Sequence, residues 1–127
     1  MSKDTKNFKV SEFTCHCGCG FNVIDQRVMD MAQTIRDELG VPVRVSSGCR
    51  CEKRNRAVGG TQGSFHTKGK AADLTCSLGA VKMFETVKEL KEKGRLPDLE
   101  YCILYKAKNI IHIDCGRKRR NYYEIRE

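Results

Sequence analysis

Two short stretches of the sequence carry histidine and carboxylate residues that could form a metal site. His66 and Asp73 are seven residues apart, where a glycine-bearing loop leads into a predicted strand. His112 interrupts the otherwise apolar run 110–114, and strand alternation places Asp114 on the same face. A lone histidine on a strand is usually structural, but two histidines and one carboxylate can hold zinc and leave a fourth position open for water. Such an open site is typical of catalytic zinc.

Cysteines suggest a second, separate site. Cys15, Cys17 and Cys19 alternate, so an extended segment would put three sulfurs on one side, and Cys49 and Cys51 could complete a tetrahedral zinc set. The alternative is that these residues are unligated reduced thiols, because disulfides would require an oxidising destination. The three remaining cysteines are predicted to be small core residues: Cys76, Cys102 and Cys115.

Length and composition predict one soluble domain. The chain has 127 residues, 39% of them hydrophobic and 31% charged, and no apolar run approaches the roughly 18 residues of a membrane span. Met1 to Lys9 lacks the apolar stretch of a signal peptide, so we expect synthesis in the cytoplasm. The net charge of +8 favours an anionic partner. Nucleic acid is disfavoured because tryptophan is absent and aromatic residues make up only 7%.

The first half of the chain is predicted to hold one long helix and one short strand. Apolar residues recur at helical spacing over 26–39, with Asp25 as N-cap and Gly40 after the last apolar position. Pro42 ends this element, and 43–45 alternate as in a strand. The polar, glycine-bearing stretch 48–65 is predicted to be a long functional loop.

The second half is predicted to be richer in strands. Residues 71–75 form a strand, and a helix follows from Ala80 to about Leu90, ending before Gly94. A hairpin joins 101–105 to 110–115, and a last strand covers 122–125. These elements predict a single α+β domain with a mainly antiparallel sheet flanked by helices. Its core is expected over about 8–116, with a basic C-terminal tail at 117–127.

The motif Ser64-x-His66-x-x-Gly69-x-Ala71-x-Asp73, followed by His112, resembles that of the zinc D-Ala-D-Ala carboxypeptidase family. These are peptidoglycan metallopeptidases with a hedgehog-like zinc fold, and the likeness is to their phage and bacterial branch. It covers roughly 8–116. Further matching positions lie upstream: Phe13 to Gly20, Ser47-Gly48-Cys49-Arg50, Asn55 and Val58-Gly59-Gly60.

The resemblance implies roles for particular residues. His66, Asp73 and His112 would bind a catalytic zinc, which lowers the pKa of its bound water toward about 7. Arg50 would hold a substrate carboxylate with its planar, forked guanidinium, and Ser64 would add a hydrogen bond near the substrate or a ligand.

The implied activity is hydrolysis of peptidoglycan stem peptides, of the D-Ala-D-Ala carboxypeptidase or cross-link endopeptidase type. Small size suits a phage or prophage endolysin that acts at the bacterial cell wall. The basic run Arg117–Arg120 could also attract anionic wall polymers.

One position departs from the family pattern. The catalytic base, usually Glu or Asp, stands three residues before the last zinc histidine, and here that residue is Asn109, whose neutral amide cannot accept the proton. Asp114 could replace it, or Glu100 less directly, although Asp114 could instead orient a ligand histidine. Otherwise the enzyme is slow, or the domain is a non-catalytic zinc module like the hedgehog signalling domain. A more distant alternative is a cysteine-zinc nucleic-acid binder.

Overall fold

The computed structural model describes residues 2–116 and 122–127. Two 3-10 helices, Val10–Phe13 and Phe65–Lys68, accompany the regular elements. Helices and strands follow in this order: α1 (Gln26–Leu39), β1 (Val43–Ser47), α2 (Glu52–Ala57), β2 (Ala71–Cys76), α3 (Ala80–Glu92), β3 (Tyr101–Tyr105), β4 (Ile110–Asp114) and β5 (Tyr123–Arg126).

The strands form one five-stranded sheet in the order β1-β2-β4-β3-β5. The first three pairings are antiparallel and β3 pairs with β5 in parallel, so the mainly antiparallel α+β fold predicted from the sequence is confirmed. Helices α1 and α3 contact each other and the sheet, and the apolar core lies between them. Buried side chains such as Met29, Ile35, Leu74 and Ile111 fill this core.

Strand register separates the core face of the sheet from the face that carries the candidate site. Leu74 pairs with Ile111, and both are fully buried in the core. The neighbouring pair, Asp73 and His112, must point to the opposite face because strand side chains alternate. The sheet therefore holds these two potential ligands side by side on the face opposite the apolar core, called here the far face.

The predicted helix 26–39 is observed with the same bounds. Asp25 accepts a hydrogen bond from the backbone N–H of Arg27, and Gly40 ends the helix in the left-handed conformation at φ 70°. The predicted long loop 48–65 is only partly correct, because it contains α2. Only Asn55 is buried in that six-residue helix, so it has no apolar pattern by which it could be recognised.

The C-terminal residues belong partly to the sheet. Tyr123–Arg126 forms β5 and pairs with β3, so this part of the predicted basic tail is an edge strand. The basic run Arg117–Arg120 lies outside the described residues. Among the described helices, none has the length and apolar character needed to cross a membrane.

Candidate metal centre

Three predicted ligands come together on the far face of the sheet. Asp73 on β2 and His112 on β4 are register partners, and His66 reaches them from the 3-10 helix that precedes β2. Asp73 Oδ1 lies 3.3 Å from His66 Nε2 and 3.2 Å from His112 Nδ1. All three donor atoms are within 4.8 Å of one another, so one metal ion could contact all of them.

The outer nitrogen of each histidine ring is held by the protein. His66 Nδ1 donates to the carbonyl of Gly48 at 2.7 Å, and His112 Nε2 donates to Asp114 Oδ2 at 2.7 Å. This protonation makes His66 Nε2 and His112 Nδ1, the two atoms that face Asp73, the ring nitrogens whose lone pairs a metal ion would take in place of a proton. A carbonyl or carboxylate behind a ligand histidine is the arrangement found around protein metal ions. The donor set therefore fits zinc.

Charge in this site favours a cation. Burial acts to raise the pKa of Asp73, but the hydrogen bonds of His112 and His66 outweigh it and hold this pKa well below its usual range. Burial acts to lower the pKa of His112, but hydrogen bonds to Asp114 and Asp73 raise it to about 9. Positive charge is thus stabilised between these carboxylates, whether a proton or a metal ion supplies it.

The motif residues around His66 set its position. Ser64 Oγ accepts a hydrogen bond from the backbone N–H of His66 at 3.2 Å and so caps the 3-10 helix. Gly69 ends the helix at φ 70°, and a Cβ there would lie 2.2 Å from the carbonyl oxygen of Val23. Ser64 also lines the cleft, so it is placed both to support a ligand and to meet a substrate.

Arg50 lies beside the ligand carboxylate. Its Nη2 donates to Asp73 Oδ2 at 3.4 Å, Nη1 donates to Asn55 Oδ1 at 3.2 Å, and Nε donates to Ser47 Oγ at 3.0 Å. Burial lowers the pKa of Arg50, which nevertheless stays charged at neutral pH. Because a guanidinium has five N–H groups, these contacts leave donors for a substrate carboxylate in the cleft that Arg50 lines.

The ligands open into a cleft of about 480 Å³. Tyr101 and Tyr105 on β3 and Arg126 on β5 also line it, and none of them was predicted from the sequence to belong to the site. Arg126 donates to the hydroxyl of Tyr105 at 3.3 Å and to Glu124, which also accepts from the hydroxyl of Tyr101. Strand alternation could have identified the two tyrosines. Ile103 pairs with His112, and Tyr101 and Tyr105, two residues on either side of Ile103, lie on the same face of β3.

The residues considered as catalytic base do not line this cleft. Asn109, at φ 55° in the β3–β4 turn, accepts a hydrogen bond from the backbone N–H of Ala80 at 2.8 Å and so caps α3. Asp114 is fully buried on the side of His112 away from Asp73, where its other oxygen accepts from the N–H of Gly116. This placement supports orientation of His112 rather than proton abstraction. Glu100 is also absent from the described lining of the cleft.

The cysteines form a second group of potential ligands. The sulfurs of Cys15, Cys17, Cys19 and Cys51 are within 4.8 Å of one another. Cys49, which was predicted as a further member, lies outside the group because its thiol is buried and donates to the backbone carbonyls of Phe13 and Phe21. Alternation along an extended segment would put Cys49 and Cys51 on the same side. Cys51 is instead the N-cap of α2, where the extended segment ends, so only the fold separates the two sulfurs.

Sequence comparison identifies the family of this fold and site. The family model described as Peptidase M15 matches residues 6–114, which include all three potential ligands of the metal centre. No curated protein matches the sequence. The family match confirms the resemblance that the His and Asp motif indicated. It covers most of the 127 residues, and the chain belongs to the Peptidase M15 family of zinc metallopeptidases.

Proposed function

We propose that this protein is a zinc peptidase that hydrolyses peptide bonds in the stem peptides of bacterial peptidoglycan. The observation that carries the proposal is the three-ligand set of His66, Asp73 and His112 at the base of an open cleft, with Arg50 beside it. Three protein ligands leave room for a substrate atom, whereas a structural zinc site is closed by four. Zinc in this site would supply Lewis-acid polarisation of a peptide carbonyl.

The charge of the cleft favours a peptide with a free carboxylate. Arg50, Lys108 and Arg126 line the cleft, and Asp73 is the one carboxylate in the described lining. The guanidinium of Arg50 can bind a terminal carboxylate through paired hydrogen bonds and thereby place the last peptide bond near the ligand set. This arrangement supports a D-Ala-D-Ala carboxypeptidase, which needs a C-terminal carboxylate, over a cross-link endopeptidase.

The expected rate of peptide hydrolysis depends on whether a side chain in the cleft can act as general base. No carboxylate other than Asp73 lines the described part of the cleft, and Asp73 is committed to the histidines. Tyr105 offers a donor for a developing oxyanion, because burial raises the pKa of its phenol and keeps it protonated. Hydrolysis would then proceed with little general-base assistance, giving a slow enzyme. The same observation favours the second candidate, a zinc module that binds such peptides without cleaving them.

Peptide hydrolysis by the zinc-loaded protein tests the proposal. A synthetic stem peptide ending in D-Ala-D-Ala and a cross-linked dimer are incubated separately, and products are measured by mass spectrometry. We expect release of D-alanine by the wild type and by the Lys82→Ala control, which changes an exposed residue of α3 outside both groups of potential metal ligands. His66→Ala should abolish release. Binding of the peptide without any product would establish the non-catalytic module, and cleavage of the dimer alone would establish the endopeptidase.

The proposed site of action is the bacterial cell wall, as for a phage or prophage endolysin. Support comes from the net charge of +8, which would favour anionic wall polymers. Purified sacculi incubated with the protein should release soluble muropeptide fragments or D-alanine. Sacculi that stay intact, together with hydrolysis of the free peptide, would restrict the activity to uncross-linked precursors.

A further inference from the structure

Four thiols converge at a point separate from the cleft. Cys15, Cys17, Cys19 and Cys51 are named here the four-cysteine cluster, and none of them lines the cleft. The sulfur of Cys15 lies 3.5 Å from that of Cys17 and 3.8 Å from that of Cys51, and the sulfurs of Cys17 and Cys51 are 3.6 Å apart. A tetrahedron with metal–sulfur bonds of about 2.3 Å has sulfur–sulfur edges of about 3.8 Å. These three edges match those of a tetrahedral metal site, and the sulfur of Cys19 lies within 4.8 Å of the other three.

Backbone donors around the cluster would stabilise thiolates. The N–H of Cys51 donates to the sulfur of Cys15 at 3.4 Å, and the N–H of Arg54 donates to the sulfur of Cys51 at 3.4 Å. Such hydrogen bonds to ligand atoms are the outer contacts that orient metal ligands and reduce their charge. Cys15 is buried while Cys17 and Cys19 are exposed, so an ion can enter from solvent and be enclosed by the loop.

We propose that the four-cysteine cluster binds a structural Zn²⁺, separate from the ion of the His66–Asp73–His112 site. Four protein ligands fill the tetrahedron and leave no position for substrate, which is the arrangement of structural zinc. Thiolates are soft ligands and select zinc over magnesium or calcium. The assignment does not depend on the peptidase activity, since none of its ligands belongs to the cleft.

The position of the cluster suggests what the ion would hold in place. It would join residues 36 apart in sequence, linking the 15–19 loop to the segment that carries Arg50. Cys51 also caps α2, whose Asn55 accepts from Arg50. On the other side of Arg50, the carbonyl of Gly48 accepts from His66. Zinc in the cluster would therefore fix the segment that positions both Arg50 and a ligand histidine.

Zinc content of matched variants tests the proposal. The full-length chain is purified under reducing conditions without added metal, and zinc is counted by mass spectrometry. We expect two equivalents in the wild type, one in His66→Ala/His112→Ala and one in Cys17→Ser/Cys19→Ser. The control Cys76→Ser changes a half-buried cysteine outside the cluster and should keep both equivalents. Zinc that remains in the histidine variant therefore reports on the four-cysteine cluster and not on the peptidase site.

Cobalt substitution keeps the test decisive should the cysteine variant fail to fold. Co²⁺ added to the metal-free His66→Ala/His112→Ala variant should give the sulfur-to-cobalt charge-transfer absorption and the visible bands of a tetrahedral thiolate site. A folded histidine variant that holds no zinc and shows no such absorption would overturn the proposal. Recovery of iron in place of zinc would overturn the assignment of the metal. A wild type that holds one zinc equivalent, kept in the histidine variant and lost in the cysteine variant, would contradict the proposed function and leave the assignment of the cluster intact.

Discussion

At the scale of single residues, Asp114 decides which nitrogen of His112 faces a metal. Its carboxylate accepts a hydrogen bond from Nε2 at 2.7 Å, so the proton that leaves the ring when a metal binds is the one on Nδ1. In Asp114→Asn, the amide nitrogen could donate to Nε2 and move the ring proton to Nδ1, where it would block the metal. We expect zinc affinity at this site to fall by about 10–100-fold, the usual effect of losing an outer partner.

Competition with a zinc chelator measures this affinity, using protein whose circular dichroism shows that the fold is retained. Asp37→Asn is the control, because Asp37 is exposed and its carboxylate accepts from Gln33 on the same helix. Equal zinc affinity of the Asp114 variant and the control would show that Asp114 has no part in orienting His112.

Residue types and spacing suggested the three potential ligands of the metal centre, and the family resemblance was needed to predict them as a set. Alternation placed His112 and Asp114 on one face. The position of Asn109 could not be predicted, because its contact with the N–H of Ala80 depends on how the turn meets α3. For the same reason, sequence spacing could not predict that Cys51 belongs to the four-cysteine cluster and Cys49 does not.

At the scale of secondary structure, Asp25 stabilises the start of α1. Its side chain accepts from the N–H of Arg27 and pairs with the Arg27 guanidinium, which is the main reason that its pKa lies below the usual range. Asp25→Ala should reduce the free energy of unfolding by about 1 kcal/mol near neutral pH, as loss of an N-cap does. Asp25→Asn, which keeps a capping oxygen without the charge, should lose less.

The pH dependence of this effect has a definite sign. A carboxyl whose pKa is lowered by folding stabilises the folded state fully above its unfolded pKa of about 3.9. That contribution is lost as the pH falls below this value toward the folded pKa. Urea unfolding at several pH values should therefore show the difference between wild type and Asp25→Ala shrinking under acid conditions. A difference that grows below about pH 4 would contradict the role of the charged carboxylate.

Two glycines that share a left-handed conformation differ in what surrounds them. A Cβ added to Gly69, which has φ 70°, would lie 2.2 Å from a backbone oxygen. A Cβ added to Gly59, which has φ 73°, would have nothing within 4 Å. Gly59→Ala should lose about 1–2 kcal/mol, the cost of this conformation for a residue with a Cβ. Gly69→Ala must also displace backbone next to His66, so it should lose more. Equal losses in urea unfolding would show that the close contact carries no energetic weight.

Elements with a run or face of apolar residues could be predicted, and the short polar helix α2 could not. Helix α1 and the β3–β4 hairpin follow the predicted bounds to within one residue, because α1 has an apolar face at helical spacing and β3 and β4 are short runs rich in buried apolar residues. Helix α2 is short and polar, and it begins where the sulfur of Cys51 accepts from the N–H of Arg54. Its stability depends on tertiary neighbours, which a local pattern does not encode.

At the scale of the whole molecule, the positive charge is divided between two environments. The net charge is +8, and most lysine and arginine side chains of residues 2–116 and 122–127 are exposed, whereas the Arg50 side chain beside Asp73 is only 15% exposed. Composition predicted the overall charge, but it could not predict that one guanidinium would be withdrawn from solvent. Salt screens exposed charges strongly and buried pairs much less.

This division predicts different salt responses for wall binding and for peptide recognition. Raising the ionic strength from about 0.05 M to about 0.5 M should release the protein from anionic wall polymer, because the screening length falls below the separation of surface charges. KM for a short peptide with a free carboxylate should change much less, because Arg50 meets that group in a partly desolvated cleft. Pelleting with purified walls measures the first response and D-alanine release measures the second. A C-terminally amidated peptide is the control, since it removes the charge that Arg50 would bind. If salt weakened both responses to the same degree, recognition of the peptide would depend on the surface field rather than on Arg50.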